Sequence, residues 1–334
     1  MARIGILGGG SWGIALAVLL HKNGHQICVW SALEAEINML REQHEHRMLP
    51  GVVLPEDTVF TTRADQAVEG KDLLVMAVAS SYTRETAARI SGLVQPGQRI
   101  VNVAKGIEEG TLMTLSEIIE QEIPQADVAV LSGPSHAEEV GKGLPTTIVV
   151  GAKTQATAEY IQNLFMSEVF RVYISPDITG IELGGALKNV VALAAGIADG
   201  LGYGDNTKAA LITRGITEIA WLGIAMGGKF ETFCGLTGIG DLIVTCASMH
   251  SRNRRAGILI GQGKSCEEAM AEVKMVVEGV HSARAAMALA RKYDVQLPII
   301  EQVNQVLFEG KSADQAVKDL MLRDKKIEVP AFPW

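Results

Sequence analysis

Ile4-Gly5-Ile6-Leu7-Gly8-Gly9-Gly10-Ser11-Trp12-Gly13 stands at the head of the chain, and its reading decides the fold. Ile4 to Leu7 is a short apolar run of the kind that a strand buried on both faces carries, and Ile14 to Lys22 reads as a helix. Between them lies G-x-G-x-x-G. In that setting Gly8 makes the tight turn, Gly10 lets backbone approach a pyrophosphate, and Gly13 lets the helix pack close on the strand. The helix N-terminus then offers free N–H groups and a positive dipole end to the anion. The spacing alone is weak evidence; strand, turn and helix in this order make it a dinucleotide-binding expectation. The competing reading is a glycine-rich loop that binds nothing.

Outward from this turn, the first half alternates β-branched runs with helical stretches, the pattern of a parallel sheet covered on both faces. Strands are expected at Arg3 to Leu7, Gln26 to Trp30, Leu73 to Ala79, Ile100 to Val103, Val128 to Leu131, Thr146 to Val150 and Phe170 to Ile174. After Ser175-Pro176-Asp177 the strand runs cease. Ser175 is the expected N-cap and Pro176 the first-turn residue of a helix reaching Ala198. Further helices are expected at Asn206 to Met226, Gly240 to Ala247, Arg254 to Gln262, Cys266 to Val273, Gly279 to Tyr293, Pro298 to Phe308 and Ser312 to Leu320. Ser265 with Glu268 forms a capping-box pattern, and Gly310 is a stop. The expected fold is α/β: an N-terminal Rossmann-type doubly wound sheet over residues 1–175, which binds a dinucleotide. An all-helical C-terminal domain over residues 176–334 follows, and would carry substrate and catalysis.

The length of 334 residues agrees with about two domains. Thirty Lys+Arg against 38 Asp+Glu leave a net charge of -8, which argues against nucleic acid or an anionic membrane as the main partner. An anionic ligand must therefore meet a locally basic pocket. Cys28, Cys234, Cys246 and Cys266 form no C-x-x-C pair, so neither a disulfide framework nor a thiolate metal site is readable, and a reducing cytoplasm fits. The uncharged run Ile4 to Leu20 resembles a signal peptide, but five glycines interrupt it. Neither export nor membrane insertion is expected.

Four places carry chemistry. From Ala186 to Ala198 the only polar residues are Lys188 and Asn189, so the helix is buried and takes an ammonium with it. Burial lowers a lysine pKa toward neutrality, which suits a general acid or base; the competing reading is a lysine that snorkels to solvent. Asp241 and Thr245 stand four apart on one face of a short helix among apolar neighbours; by spacing alone the reading of Asp241 as a helix cap is the stronger one. Ser251-Arg252-Asn253-Arg254-Arg255 gathers three guanidinium groups at a helix start, either a phosphate grip or a solvated face. Lys105, and Gly133 with Ser135, fall at the carboxyl ends of expected strands, the edge where ligands sit in open α/β sheets. The acid expected about 20 residues past the glycines, to hold an adenosine 2'-hydroxyl, is missing from the end of the second strand. Trp30-Ser31-Ala32 stands there, with Glu34 beyond it, so neither NAD nor NADP is excluded. Both are expected to serve within about tenfold in kcat/KM, or about 1.4 kcal/mol.

The run from Gly185-Ala186-Leu187-Lys188-Asn189 to Gly204-Asp205-Asn206 resembles the signature of NAD(P)-dependent glycerol-3-phosphate dehydrogenase, in its bacterial form. Leu131-Ser132-Gly133-Pro134-Ser135-His136-Ala137-Glu138-Glu139, Gly238-Ile239-Gly240-Asp241-Leu242, Ser251 to Arg255 and Val277-Glu278-Gly279 match in the family's order. The resemblance implies reversible NAD(P)H-dependent reduction of dihydroxyacetone phosphate to sn-glycerol 3-phosphate, the backbone of glycerophospholipids. The apolar helical domain points to a homodimer, and no metal is expected. Lys188, with Asp241 and Thr245, is then catalytic. Lys105, Gly133, Ser135, Asn189, Ser251, Arg252 and Asn253 are implied at the substrate. Gly8, Gly10, Ser11, Trp12, Gly13, Ala32, Lys105, Ala137, Arg252, Val276 and Glu278 are implied at the cofactor. Ala32 departs from the His or Arg that many bacterial members carry, and Ala104 from the Thr that often precedes Lys-Gly. Two alternatives compete: a two-domain β-hydroxyacid-type dehydrogenase, against which the Arg252 cluster argues, and a non-catalytic nicotinamide-nucleotide sensor, which would need no buried lysine.

Overall fold

The computed structural model describes residues 1–325, 327 and 328; of the helical domain expected over 176–334, residues 326 and 329–334 lie outside the described residues. Eight strands form one sheet: β1 Arg3–Leu7, β2 Gln26–Trp30, β3 Val59–Thr61, β4 Leu73–Met76, β5 Arg99–Asn102, β6 Asp127–Ser132, β7 Thr146–Ala152 and β8 Phe170–Ser175. The order is β3-β2-β1-β4-β5-β6-β7-β8. The chain thus starts in the middle of the sheet and winds outward both ways. Along each central strand, side chains alternate between two cores: Ile4, Ile6, Val29, Val75 and Val101 join one. Leu7, Cys28, Trp30, Leu74, Met76 and Ile100 join the other, which is the pattern of a sheet covered on both faces.

Two features differ from the sequence expectation. β3 was not foreseen, because Val59-Phe60-Thr61 is only three residues long and pairs on one side alone, at the sheet edge. β7 runs antiparallel to β6 and carries β8 with it, so the sheet is not wholly parallel. Residues 133–145 stay at the carboxyl edge of β6, and the chain re-enters the sheet from the edge it left.

Beyond β8 the described chain is helical. The helix that follows the glycine turn is α1, Ser11–Lys22; the helical half is built on α2, Ile178–Gly200, α3, Asp205–Ala225, α4, Asp241–Ala247, α5, Arg252–Gly261, α6, Glu278–Lys292, and α7, Pro298–Phe308. The cap of α2 is Asp177, whose carboxylate accepts from Gly180 N at 2.9 Å, rather than Ser175, whose hydroxyl instead accepts from Asp177 N. The carboxylate reaches further than a serine hydroxyl, and it also accepts from Lys229 N and Thr232 Oγ1. The capping box of Ser265 and Glu268 forms as expected.

Every residue of α2 from Gly180 to Ala198 is buried, with α3, α5 and α6 packed around it. It is long and apolar enough to cross a membrane, yet it is wholly enclosed by protein. Small residues let α5 come close: a Cβ on Gly196 would lie 2.1 Å from the Arg254 carbonyl oxygen, and one on Gly257 2.3 Å from that of Leu193. Glu182, in the second turn, ties α2 to the helix Leu115–Glu122, accepting from Ser116 N and Ser116 Oγ at 2.9 and 2.5 Å, and to the end of β5, accepting from Asn102 Nδ2 at 3.4 Å. This anchor fixes α2 across the carboxyl ends of the strands, and Lys188 lies two turns further along.

Candidate active site

A cleft of about 730 Å³ opens between the carboxyl edge of the sheet and the helical half. Its sheet side starts at the glycine turn. Gly8 has φ +129°, and a Cβ there would lie 2.7 Å from the Ala77 backbone; one on Gly13 would lie 2.2 Å from the Gly8 carbonyl oxygen. Only glycine fits either position. A Cβ on Gly10 would instead meet nothing within 4 Å, because Gly10 faces the cleft with Ser11 and Trp12. Trp12 Nε1 donates to Val103 O at 3.2 Å, which orients the indole along the wall. The exposed backbone at the N-terminus of α1 is a cradle suited to a pyrophosphate.

Across the cleft, Lys188 is 6% exposed, and its Nζ donates to Asp241 Oδ1 at 2.5 Å and Thr245 Oγ1 at 2.7 Å. Thr245 Oγ1 passes its own hydrogen to Asp241 O at 2.6 Å, so it is an acceptor toward the lysine. Lys105 Nζ donates to the other carboxylate oxygen, Asp241 Oδ2, at 2.7 Å and to Gly133 O at 3.1 Å. One buried carboxylate therefore holds two ammonium groups. Burial raises the Asp241 pKa, but Lys105 and then Lys188 outweigh it and hold the carboxyl below its ordinary range. For Lys188 burial dominates over the attraction of Asp241, and with Lys105 nearby the pKa falls to about 8. Asp241 does not cap α4, as its spacing allowed; its side chain turns to the lysines instead.

The Ser-Arg-Asn cluster divides its labour. Ser251 caps α5, accepting from Arg254 N, and Arg254 is committed to Asp199 at 2.8 Å and to Ala247 O. Asn253 bridges Asn189 Oδ1 and Gly279 N, both at 2.9 Å. Arg252 has no ion pair or hydrogen bond among the described residues, although Glu278 and Glu138 lie near enough to feel its charge. It is a half-buried cation facing the cleft.

Of the residues singled out in the sequence, Gly10, Ser11, Trp12, Lys105, Ser135, Ala137, Lys188, Asn189, Thr245, Ser251, Arg252, Asn253, Val276 and Glu278 line this cleft together. Asp241 and the Gly133 carbonyl sit directly behind, holding the lysines, while Gly8 and Gly13 shape the turn. Ala32 does not reach the cleft; it is exposed past the end of β2. Sequence reasoning missed His46, Arg47, Lys142 and Lys274, which also line it. These come from loops with no recognisable spacing. His136 was inside a quoted motif but received no role. It lines the same wall, with burial and then Lys188 lowering its pKa. The described residues contain no cluster of side chains that could hold a metal.

Glu278 closes the far end, where Ser80 Oγ, after β4, donates to its Oε2 at 2.5 Å and links the two halves. The dinucleotide cradle, the lysine pair and the free guanidinium thus share one space. Two family profiles match the chain, the NAD-dependent glycerol-3-phosphate dehydrogenase N-terminus over residues 3–158 and the C-terminus of the same family over residues 177–318. The chain belongs to the NAD-dependent glycerol-3-phosphate dehydrogenase family. Among glycerol-3-phosphate dehydrogenases [NAD(P)+], that of Agathobacter rectalis is 64% identical over 335 aligned positions, covering 100% of both chains. That of Fusobacterium nucleatum is 59% identical, over 99% of this chain and 100% of its own. The crystal structure of glycerol-3-phosphate dehydrogenase from Coxiella burnetii, 36% identical, superposes with a TM-score of 0.93 over 96% of this chain and 99% of that one. The glycerol-3-phosphate dehydrogenase fold therefore holds across the sheet and the helical half.

Proposed function

We propose that this chain catalyses the reversible reduction of dihydroxyacetone phosphate to sn-glycerol 3-phosphate. The observation that carries the reading is the placing of a buried lysine, fixed by Asp241 and Thr245, in one cleft with an unpaired arginine and the glycine turn. Residues 1–175 hold the dinucleotide: the turn at Gly8, Gly10 and Gly13, then Ser11, Trp12 and Ala137, with Val276 and Glu278 reaching over from the helical side. NADH or NADPH, when bound, supplies the hydride that reduces C2 of the ketone.

The residues of 176–334, with Lys105, Gly133 and Ser135, take the substrate. Arg252 grips the phosphate, and it stays charged although burial lowers its pKa. Ser251, Asn253 and Asn189 stand beside it for the remaining oxygens. Lys188 stabilises the alkoxide that develops on C2 and gives it the proton from Nζ. Asp241 keeps Lys188 and Lys105 in place, and Lys105 adds a second positive charge beside the reacting oxygen. A nucleotide sensor would need none of this second half. For a β-hydroxyacid dehydrogenase, a carboxylate would have to replace the phosphate at Arg252.

Proton transfer at Lys188 makes both directions depend on pH. Reduction needs Lys188 protonated and oxidation needs it neutral, so with its pKa at about 8 reduction slows as the pH rises through that value. Oxidation of sn-glycerol 3-phosphate speeds up over the same range. Saturating kcat measured in both directions from about pH 6.5 to 9.5 reads this directly. Two flat profiles would remove Lys188 as the proton carrier.

We further infer a cytoplasmic homodimer supplying glycerophospholipid synthesis. All four cysteines are free, as suits a reducing compartment. Trp221, Ile224 and Phe230 remain exposed on neighbouring helices, an apolar face suited to a second copy. Sedimentation velocity on the purified protein distinguishes dimer from monomer.

A further inference from the structure

The end of β2 carries no acid, so the sequence offers nothing there to separate NADH from NADPH. The structure brings a carboxylate to that corner from the next helix. Glu36 lies in the first turn of helix Glu34–Gln43, which follows β2 directly. A Cβ built on Gly9 would meet Glu36 Oε2 at 2.7 Å, Cδ at 3.0 Å and Cγ at 3.3 Å. Gly9 is the middle residue of Gly8-Gly9-Gly10, so the carboxylate lies against the turn itself, on the side where β2 ends.

The ordinary uses of such a carboxylate are missing. Among the described residues Glu36 makes no ion pair and its side chain accepts no hydrogen bond. Its helix starts from Leu33 with no side-chain cap. The titratable neighbour that feels its charge is His46, whose pKa burial holds below the ordinary value; His46 and the adjacent Arg47 line the cleft, and neither pairs with Glu36. Arg63, after β3, is already paired with Asp65. A half-buried carboxylate is thus left pointing at a glycine that makes room for it.

We propose that Glu36 reads the adenosine ribose and selects NADH against NADPH; this rests on the reading that the glycine turn holds a nicotinamide dinucleotide. In this fold the ribose lies between the glycine turn and the end of the second strand, where an acid about 20 residues past the glycines takes the 2'-hydroxyl. Glu36 meets that description from a helix instead of from the strand end. A ribose diol offers two O–H donors to the two oxygens of an ionised carboxylate. A 2'-phosphate removes one donor and sets a like charge against the carboxylate, with no free guanidinium or ammonium at Ala32 to offset it. The near-equality expected from Trp30-Ser31-Ala32 alone then gives way to a preference for NADH.

Equilibrium dissociation constants for NADH and NADPH, read from the fluorescence of the reduced nicotinamide, test this without turnover. The wild type is expected to bind NADH about 10- to 100-fold more tightly, the range for a hydrogen bond to a charged group. Glu36→Gln should bring the two constants within a few-fold, mainly by tightening NADPH, and Glu36→Gln with Ala32→Arg should reverse the order. Glu36→Ala gives a second reading if the glutamine variant unfolds early in a thermal melt. Equal binding of both cofactors by the wild type, or an unchanged ratio in the folded variants, overturns the role of Glu36 alone. Binding of neither nucleotide by the wild type overturns the cofactor reading beneath it.

Discussion

Lys188→Ala is expected to lower kcat for reduction of dihydroxyacetone phosphate by about 10² to 10⁴-fold, the range that a positioned general acid supplies. The affinity for NADH should stay near that of the wild type, because the dinucleotide cradle lies on the sheet side of the cleft while Lys188 sits on α2. The variant is interpretable because Asp241 does not lose all its partners: Lys105 Nζ remains 2.7 Å from Oδ2. A buried carboxylate stripped of every cation would destabilise the fold and confuse the result. A thermal melt alongside the kinetics confirms that loss of rate is not loss of protein. Lys188→Arg makes the sharper control, since it keeps a charge beside Asp241 but cannot give up a proton at working pH. Both variants should be slow; retention of more than about a tenth of wild-type turnover by either would remove Lys188 from the chemistry.

Arg252→Ala is expected to raise KM for dihydroxyacetone phosphate about 10- to 100-fold, with a smaller effect on kcat, and to weaken inhibition by inorganic phosphate in parallel. A charge-assisted contact to phosphate is worth about 1.5 to 3 kcal/mol, and among the described residues Arg252 makes no ion pair, although Glu278 and Glu138 lie near it. The neighbouring Arg254 supplies the contrast. Its guanidinium is spent on Asp199 and the Ala247 carbonyl, so its removal should cost stability and leave KM largely alone. If Arg254→Ala raised KM and Arg252→Ala did not, the phosphate site would lie on the opposite face of α5.

How far these residues could be read in advance follows from how local their signals are. The glycine turn is a signal of ten consecutive residues, and the helix around Lys188 is apolar nearly all round, so both announce themselves without knowledge of the fold. Asp241 does not: fifty-three residues separate it from Lys188, and spacing alone favours capping of its own helix, which it does not do. Only tertiary packing turns its carboxylate toward two lysines. Arg252 and Arg254 look alike in the sequence, and what separates them is that Asp199, on α2, captures one of them.

The same logic explains the errors in the fold. β3 is too short to show alternation, and the reversal at β7 depends on where residues 133–145 leave the sheet rather than on any residue type within the strands. Glu36 is the clearest case at the site. An acid was sought at the strand end, where Ala32 stands, and the structure brings one to the glycine turn from the first turn of the following helix. A four-residue offset is invisible to a motif and decisive for a ribose.

Reduction of a phosphorylated ketone in this cleft is read by mixing the purified protein with dihydroxyacetone phosphate and NADH, then with NADPH, and following absorbance of the reduced nicotinamide. Saturable oxidation of the cofactor is expected, with sn-glycerol 3-phosphate formed mole for mole, and loss of the signal when the ketone is not phosphorylated. Full activity on a 2-keto acid with none on dihydroxyacetone phosphate would contradict it.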